Sequence, residues 1–297
     1  MAVQTHEALS ALKQFTDGNV ISKDGARIAY RQLGSGPALV VLHGAMESAE
    51  SHRQLAEALA DFYTVYLVDR RGRGQSGAYG KDYTSQEDVE DVSAVLEKTG
   101  ARTLFGVSSG AIITLLAALQ LSRIQKIAIY EPPLSLTRAE ATAILERYNR
   151  EMAAGKLSAA LVTGMLGAKM GPPIFNAMPR WALEILTNLG MNAEERQAKP
   201  GDVTMRLLAP TLRYDFQLVT EMSERVDIFH GIQAKTLLIG GSQSPAYLIK
   251  SLDLLEGIIP RCQRVLIPGV GHGGSENKIR GGQPEKVAEE LRKFLTA

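Results

Sequence analysis

Ser108 sits between two glycines in Gly106-Val107-Ser108-Ser109-Gly110, and the run that enters this stretch through Leu104-Phe105 is apolar and β-prone. The run that leaves it, from Ala111-Ile112-Ile113 toward Leu121, is small and helix-prone. That order predicts a strand, a very tight turn and a helix, with a hydroxyl at the apex. The apex residue of such a turn is held in a strained backbone conformation, so the flanking positions must lack a Cβ. The following helix aims unpaired N–H groups and partial positive charge back at the serine. Attack of the hydroxyl on a carbonyl is the chemistry this arrangement suits.

A serine hydroxyl is a poor nucleophile at neutral pH and needs an adjacent base. The chain has five histidines. His6 in the N-terminal segment and His52 at a helix start are expected at the surface, and His230 lies in a connection. Only His43 and His272 follow apolar strand runs. His272, in Gly269-Val270-Gly271-His272-Gly273-Gly274, is expected to reach the serine as general base. His43 opens His43-Gly44-Ala45-Met46, where it is expected to fix the loop while the N–H of Ala45 faces the substrate. With the N–H of Ser109, that group would form an oxyanion hole.

The imidazole needs a carboxylate to orient it and to stabilise its charged form. The strand over residues 235–239 ends in Gly241-Ser242-Gln243-Ser244, where an acid is expected and none occurs. Glu131, after the strand over residues 125–130 that follows the elbow, is the expected acid. Asp227 and Asp253 stand as alternatives, although Asp227 precedes its strand. Met46, Met178, Trp181 and Tyr214 are expected to contact substrate.

Strands must carry these residues to one edge. Residues 19–22 and 27–33 read as a hairpin around Lys23-Asp24-Gly25. Apolar runs over residues 38–42, 64–68, 104–107, 125–130, 235–239 and 264–267 alternate with helical patterns. This is the pattern of a mostly parallel, doubly wound sheet with an antiparallel hairpin at its N-terminal edge. From about residue 134 to 232 the alternation stops and the chain reads as helix, rich in methionine. The expected organisation is therefore a core of residues 1–133 and 233–297, with a helical cap of residues 134–232 over the strands' carboxyl ends, where such sheets bind ligands.

Composition bounds the function. In 297 residues, 45% hydrophobic and 22% charged, there is material for a sizeable core. A net charge of +1 gives no electrostatic case for nucleic acid or an anionic membrane as partner. No apolar run is long enough to span a bilayer. The single cysteine, Cys262, and the absence of a secretory pattern fit a cytoplasmic protein. Residues 1–15 are expected to form a short amphipathic helix. Gly72-Arg73-Gly74-Gln75-Ser76-Gly77 and Gly269 to Gly274 both fit Gly-x-Gly-x-x-Gly, but neither opens a helix at once, so no dinucleotide is expected. No metal-ligand spacing occurs, and no cofactor is expected. The expected partner is a small-molecule substrate, with a homodimer left open.

The combination of His43-Gly44-Ala45, Asp69-x-Arg71-Gly72-x-Gly74-x-Ser76, Gly106-x-Ser108-x-Gly110 and Gly271-His272, in that order, resembles the α/β-hydrolase superfamily over nearly the whole chain outside the cap. The resemblance implies the α/β-hydrolase fold, a Ser–acid–His triad, an oxyanion hole and a cap-covered pocket. It also implies a structural role for the loop from Asp69 to Ser76. The sequence departs from the pattern at Gln243 and Ser244, which carry no charge. Certain haloalkane dehalogenases and zearalenone-type lactonases place a glutamate after the strand following the elbow, and Glu131 matches that position. Dehalogenases and epoxide hydrolases of the superfamily use an aspartate nucleophile, so Ser108 speaks against both activities. The implied activity is hydrolysis of an ester or lactone of a small apolar substrate through an acyl-enzyme. The alternatives are non-hydrolytic lyase or C–C cleavage chemistry and ligand sensing on the same fold.

Overall fold

The computed structural model describes residues 14–171 and 173–296. The helix expected over residues 1–15 lies, up to residue 13, outside the described residues, as does His6. Eight strands form one sheet: β1 (Thr16–Ile21), β2 (Arg27–Leu33), β3 (Ala38–Leu42), β4 (Thr64–Val68), β5 (Thr103–Val107), β6 (Lys126–Tyr130), β7 (Lys235–Gly241) and β8 (Cys262–Ile267). Their order is β1-β2-β4-β3-β5-β6-β7-β8. The pairs β1/β2 and β2/β4 are antiparallel, and every other pair is parallel.

The central strands are continuous apolar runs because the sheet is covered on both faces. Successive side chains point to opposite sides. Val40, Leu42, Leu104, Ile127 and Ile129 pack with Val89, Val92 and Leu96 of α2 (Ser85–Thr99) and with Ile112, Leu115 and Leu116 of α3 (Ser109–Gln120). Leu39, Val41, Phe105, Val107 and Ala128 face the other way. There they meet Leu55 and Leu59 of α1 (Arg53–Leu59) and a C-terminal helix carrying Val287 and Leu291. Gly100, at φ +68°, ends α2 in the left-handed conformation that glycine adopts without cost.

The segment expected as a cap holds α4 (Arg138–Ala153), α5 (Leu157–Gly167), α6 (Arg180–Gln197), the short α7 (Met205–Leu208) and α8 (Leu212–Met222). Thr137 and Glu140 form a capping box that starts α4. Tyr148, Ala160, Leu161, Met191, Ala209 and Leu212 make a separate apolar cluster within this segment. Leu218, Val219 and Met222 of α8 instead join the main core beside α3. The chain then enters β7, followed by α9 (Ala246–Glu256), β8 and α10 (Pro284–Thr296). Register aligns the strand tips: Val107 is paired with Tyr130 and Tyr130 with Ile239. Residues just past β5, β6 and β7 are thereby brought side by side.

Candidate active site

Ser108 leaves β5 at φ +53°, ψ −119°, a conformation that L residues rarely adopt. The turn is enforced from both sides. A Cβ on Gly106 would lie 2.2 Å from Thr114 Oγ1, and one on Gly110 would lie 2.4 Å from the His43 carbonyl. Only glycine fits either place. The Ser108 N–H donates to the Tyr130 carbonyl at 2.8 Å, tying the elbow to β6. The loop after β3 passes directly over the serine, since a Cβ on Gly44 would come 2.9 Å from Ser108 Cβ.

His272 Nδ1–H donates to Glu131 Oε2 at 2.7 Å. Glu131 leaves β6 at φ +47° and is 0% exposed. Its Oε1 accepts the Gly241 N–H at 2.6 Å. A Cβ on Gly240 would come 3.3 Å from that same oxygen, so the glycines ending β7 leave room for the Glu131 carboxylate. The histidine loop is fixed in turn by Tyr130, whose hydroxyl donates to the Gly271 carbonyl at 2.6 Å. The alternative acids lie elsewhere. Asp253 is paired with Arg264 and has a side chain 58% exposed, and Asp227 is also exposed.

His43 is buried and accepts the Arg70 N–H on Nε2 at 3.2 Å, while its Nδ1–H reaches the Gly44 carbonyl at 2.8 Å. Burial, with the charges of Arg73 and Arg70, holds its pKa well below the usual imidazole value. It stays neutral and braces the loop. His230 is exposed. His52 corrects the sequence reading: it is 1% exposed, not a surface residue. Glu47 and the Ser275 carbonyl close over it, at 2.8 and 3.0 Å from its two ring nitrogens.

Ser108, Ser109, Ala45, Met46 and His272 all line one cavity of about 600 Å³ between the sheet's strand tips and the helices of residues 138–222. Among the described residues, neither the Ala45 nor the Ser109 N–H finds a protein acceptor. The rest of the wall is mainly apolar, with Leu136, Ile144, Met165, Phe175 and Phe216 among its members. Met178, Trp181 and Tyr214, expected to contact substrate, are not part of it. Trp181 is 65% exposed on the outer side of α6. Tyr214 is stacked on Tyr79, with ring centroids 3.8 Å apart, and Met178 lies in the turn before α6.

Asp215 is not among the site residues expected from the sequence. It is 2% exposed, lines the cavity, and accepts from Ser109 Oγ at 2.8 Å and from an Arg70 guanidinium N–H at 2.9 Å. Arg73 pairs with its other oxygen. The sequence signal was the charged run Arg70-Arg71-Gly72-Arg73 directly after a buried strand, since buried arginines require buried acids. Among the described residues no group of three or more His, Cys, Asp or Glu could hold a metal ion, and no helix is long and apolar enough to cross a membrane.

The sequence pattern of the alpha/beta hydrolase family matches residues 39–290. An uncharacterized hydrolase of Bacillus subtilis is 36% identical over 95 residues, 31% of this chain and 35% of that protein. A pimeloyl-[acyl-carrier protein] methyl ester esterase of Stenotrophomonas maltophilia is 26% identical over 273 residues, 89% of this chain and 95% of its own length. The crystal structure of an alpha/beta hydrolase from Sphaerobacter thermophilus superposes with a TM-score of 0.73 at 30% identity, covering 94% of this chain and 100% of that one. Relatives of this kind support a hydrolase activity. The chain belongs to the alpha/beta hydrolase family.

Proposed function

We propose that the protein is a serine hydrolase cleaving an ester or lactone bond of a small, mainly apolar substrate through an acyl-enzyme. The reading rests on one observation: the His272–Glu131 hydrogen bond of 2.7 Å beside a cavity that Ser108 also lines. With Nδ1–H committed to the carboxylate, the Nε2 lone pair of His272 is free to take the Ser108 proton. The alkoxide oxygen then attacks the substrate carbonyl, and the Ala45 and Ser109 N–H groups receive the developing oxyanion. His272 returns the proton to the leaving alcohol, and Glu131 stabilises the imidazolium in between. Water, activated by the same imidazole, releases the acid and restores the serine. The apolar wall favours substrates whose non-reacting parts are aliphatic or aromatic.

Steady-state rates on p-nitrophenyl esters of increasing chain length, and on lactones, test this reading. Ser108→Ala should lower kcat by on the order of 10⁶-fold in folded protein. A fluorophosphonate should label Ser108 covalently. An intact rate in Ser108→Ala refutes the mechanism, and an unreactive Ser108 in folded protein favours ligand sensing.

A further inference from the structure

His52 has no part in the mechanism above, yet its surroundings are unusual. Glu47 Oε2 lies 2.8 Å from one ring nitrogen and the Ser275 carbonyl 3.0 Å from the other, and both oxygens can only accept. Each ring nitrogen therefore carries a proton, and His52 is an imidazolium. Burial opposes that charge, but the adjacent Glu47 carboxylate overcomes it and raises the pKa of the ring. An ion pair withdrawn from water is costly unless its geometry is good and its remaining valences are met. Here they are met by the two loops that flank the serine.

Glu47 ties down the first loop. The same Oε2 that holds His52 accepts the Gly44 N–H at 2.8 Å, closing the Gly44–Glu47 turn into a ring. Inside that ring lie Ala45 and Met46, the latter at φ +56°. A second bond, from the Arg280 guanidinium to the Met46 carbonyl at 3.2 Å, holds the strained residue from outside. His52 ties down the second loop through Ser275, which shares the glycine-rich segment with His272. Further out, the Asn277 N–H donates to the Ser51 carbonyl at 2.8 Å, and the Gln54 N–H to Asn277 Oδ1 at 2.9 Å. One buried ion pair thus connects the backbone that carries Ala45 to the backbone that carries His272.

We infer that Glu47 and His52 are positioning residues: the hydrogen-bonded bridge from Gly44 through Glu47 and His52 to Ser275 sets the Ala45 N–H against the His272 ring, so that oxyanion stabilisation depends on that bridge. The inference rests on the serine-hydrolase reading of the same site. A bridge of this kind acts on the transition state more than on substrate binding. The oxyanion hole is complementary to an oxygen that moves during the reaction, and a displacement of about 1 Å there can cost roughly 100-fold.

The test pairs kinetics with a transition-state analogue. Glu47→Ala and His52→Ala should lower kcat by about 10- to 100-fold with KM changed by less than about threefold. The Ki of an aryl trifluoromethyl ketone, which forms a hemiketal oxyanion with the serine, should rise by the factor that kcat/KM falls. Glu47→Gln can offer its amide oxygen to the Gly44 N–H and its amide N–H to a neutral His52 ring, which keeps the bridge without its charges, and should recover most of the loss. It also reports where the alanine variants do not fold. The inference is overturned if folded Glu47→Ala loses melting temperature while kcat and ketone affinity hold. It is overturned equally if Glu47→Gln is no better than Glu47→Ala. Wild-type protein left unlabelled by a fluorophosphonate at Ser108 would sink the hydrolase reading and this inference with it. Labelled wild type with unimpaired variants sinks this inference alone.

Discussion

Glu131 is gripped by two neighbours, the Gly241 N–H at 2.6 Å and His272 Nδ1 at 2.7 Å. A neutral amide at 131 could keep both contacts in part, but it could not stabilise an imidazolium, and it could drive His272 into the wrong tautomer. Glu131→Gln should therefore lower kcat by about 10³- to 10⁴-fold. Asp227→Asn and Asp253→Asn should leave it within about twofold, all three measured on one p-nitrophenyl ester. A loss confined to Asp253→Asn would place the acid elsewhere. The positions of Ser108, Glu131 and His272 past strand ends could be read because each follows an apolar run in the sequence, and strand tips are where a parallel sheet presents chemistry. His52 was not legible. Glu50 and Arg53 around it are the mark of a solvated helix start, and the Ser275 carbonyl that buries it lies 223 residues away in sequence. Asp215 was hidden for the same reason, since Ser109, 106 residues distant, is one of its partners.

Helix α6 shows why the strands could be read and the cap could not. A strand that packs on both faces is apolar throughout, and the runs over residues 38–42, 64–68 and 104–107 stand out in the sequence that way. On α6 the outward residues Trp181, Ile185 and Leu189 are as apolar as Leu183 and Leu186 on the cavity wall. Periodicity cannot then tell the wall from the outside. Trp181 is expected from the sequence to contact substrate, and the helix turns it away. Trp181→Gln should leave kcat/KM within about twofold across an ester series, because the side chain reaches neither cavity nor elbow. Met165 faces the cavity, and Met165→Trp adds bulk to a site bounded by packed side chains. It should raise KM for long-chain esters by about tenfold or more and spare acetate and propionate esters. Equal effects on all chain lengths would mean that the acyl chain does not run toward Met165.

At the scale of the whole molecule, a chain of net charge +1 buries many of its charges, and their protonation governs stability. Although burial opposes it, the His52 charge holds the Glu47 carboxyl below its ordinary value, while Glu47 holds His52 above 6.5. Arg280, Glu276 and His43 are the other ionisable groups around the pair. A lowered carboxylate stabilises above its ordinary value of 4.5, and that contribution is lost as pH falls through the folded value. A raised histidine stabilises below 6.5, and its contribution is lost as pH rises through the folded value. Thermal melts across pH should show both limbs. In Glu47→Gln the acid limb should flatten and the alkaline limb should begin at lower pH. The Asp215 cluster makes a stronger claim, that cap and sheet unfold together. Its carboxylate comes from α8, its arginines from the loop after β4 and its serine from α3, while Leu218 and Met222 bury α8 in the main core. Asp215→Ala leaves two buried guanidinium groups without their counter-charge, which should cost about 3–5 kcal/mol. Asp24→Ala removes only a half-exposed partner of Arg71, which keeps Asp91 and Glu87, and should cost under about 1 kcal/mol. Calorimetry should then show one transition in both variants, displaced by about 10 °C in the first and hardly at all in the second. Two transitions, with only the smaller one shifted in Asp215→Ala, would mean that the helical segment folds as a unit of its own.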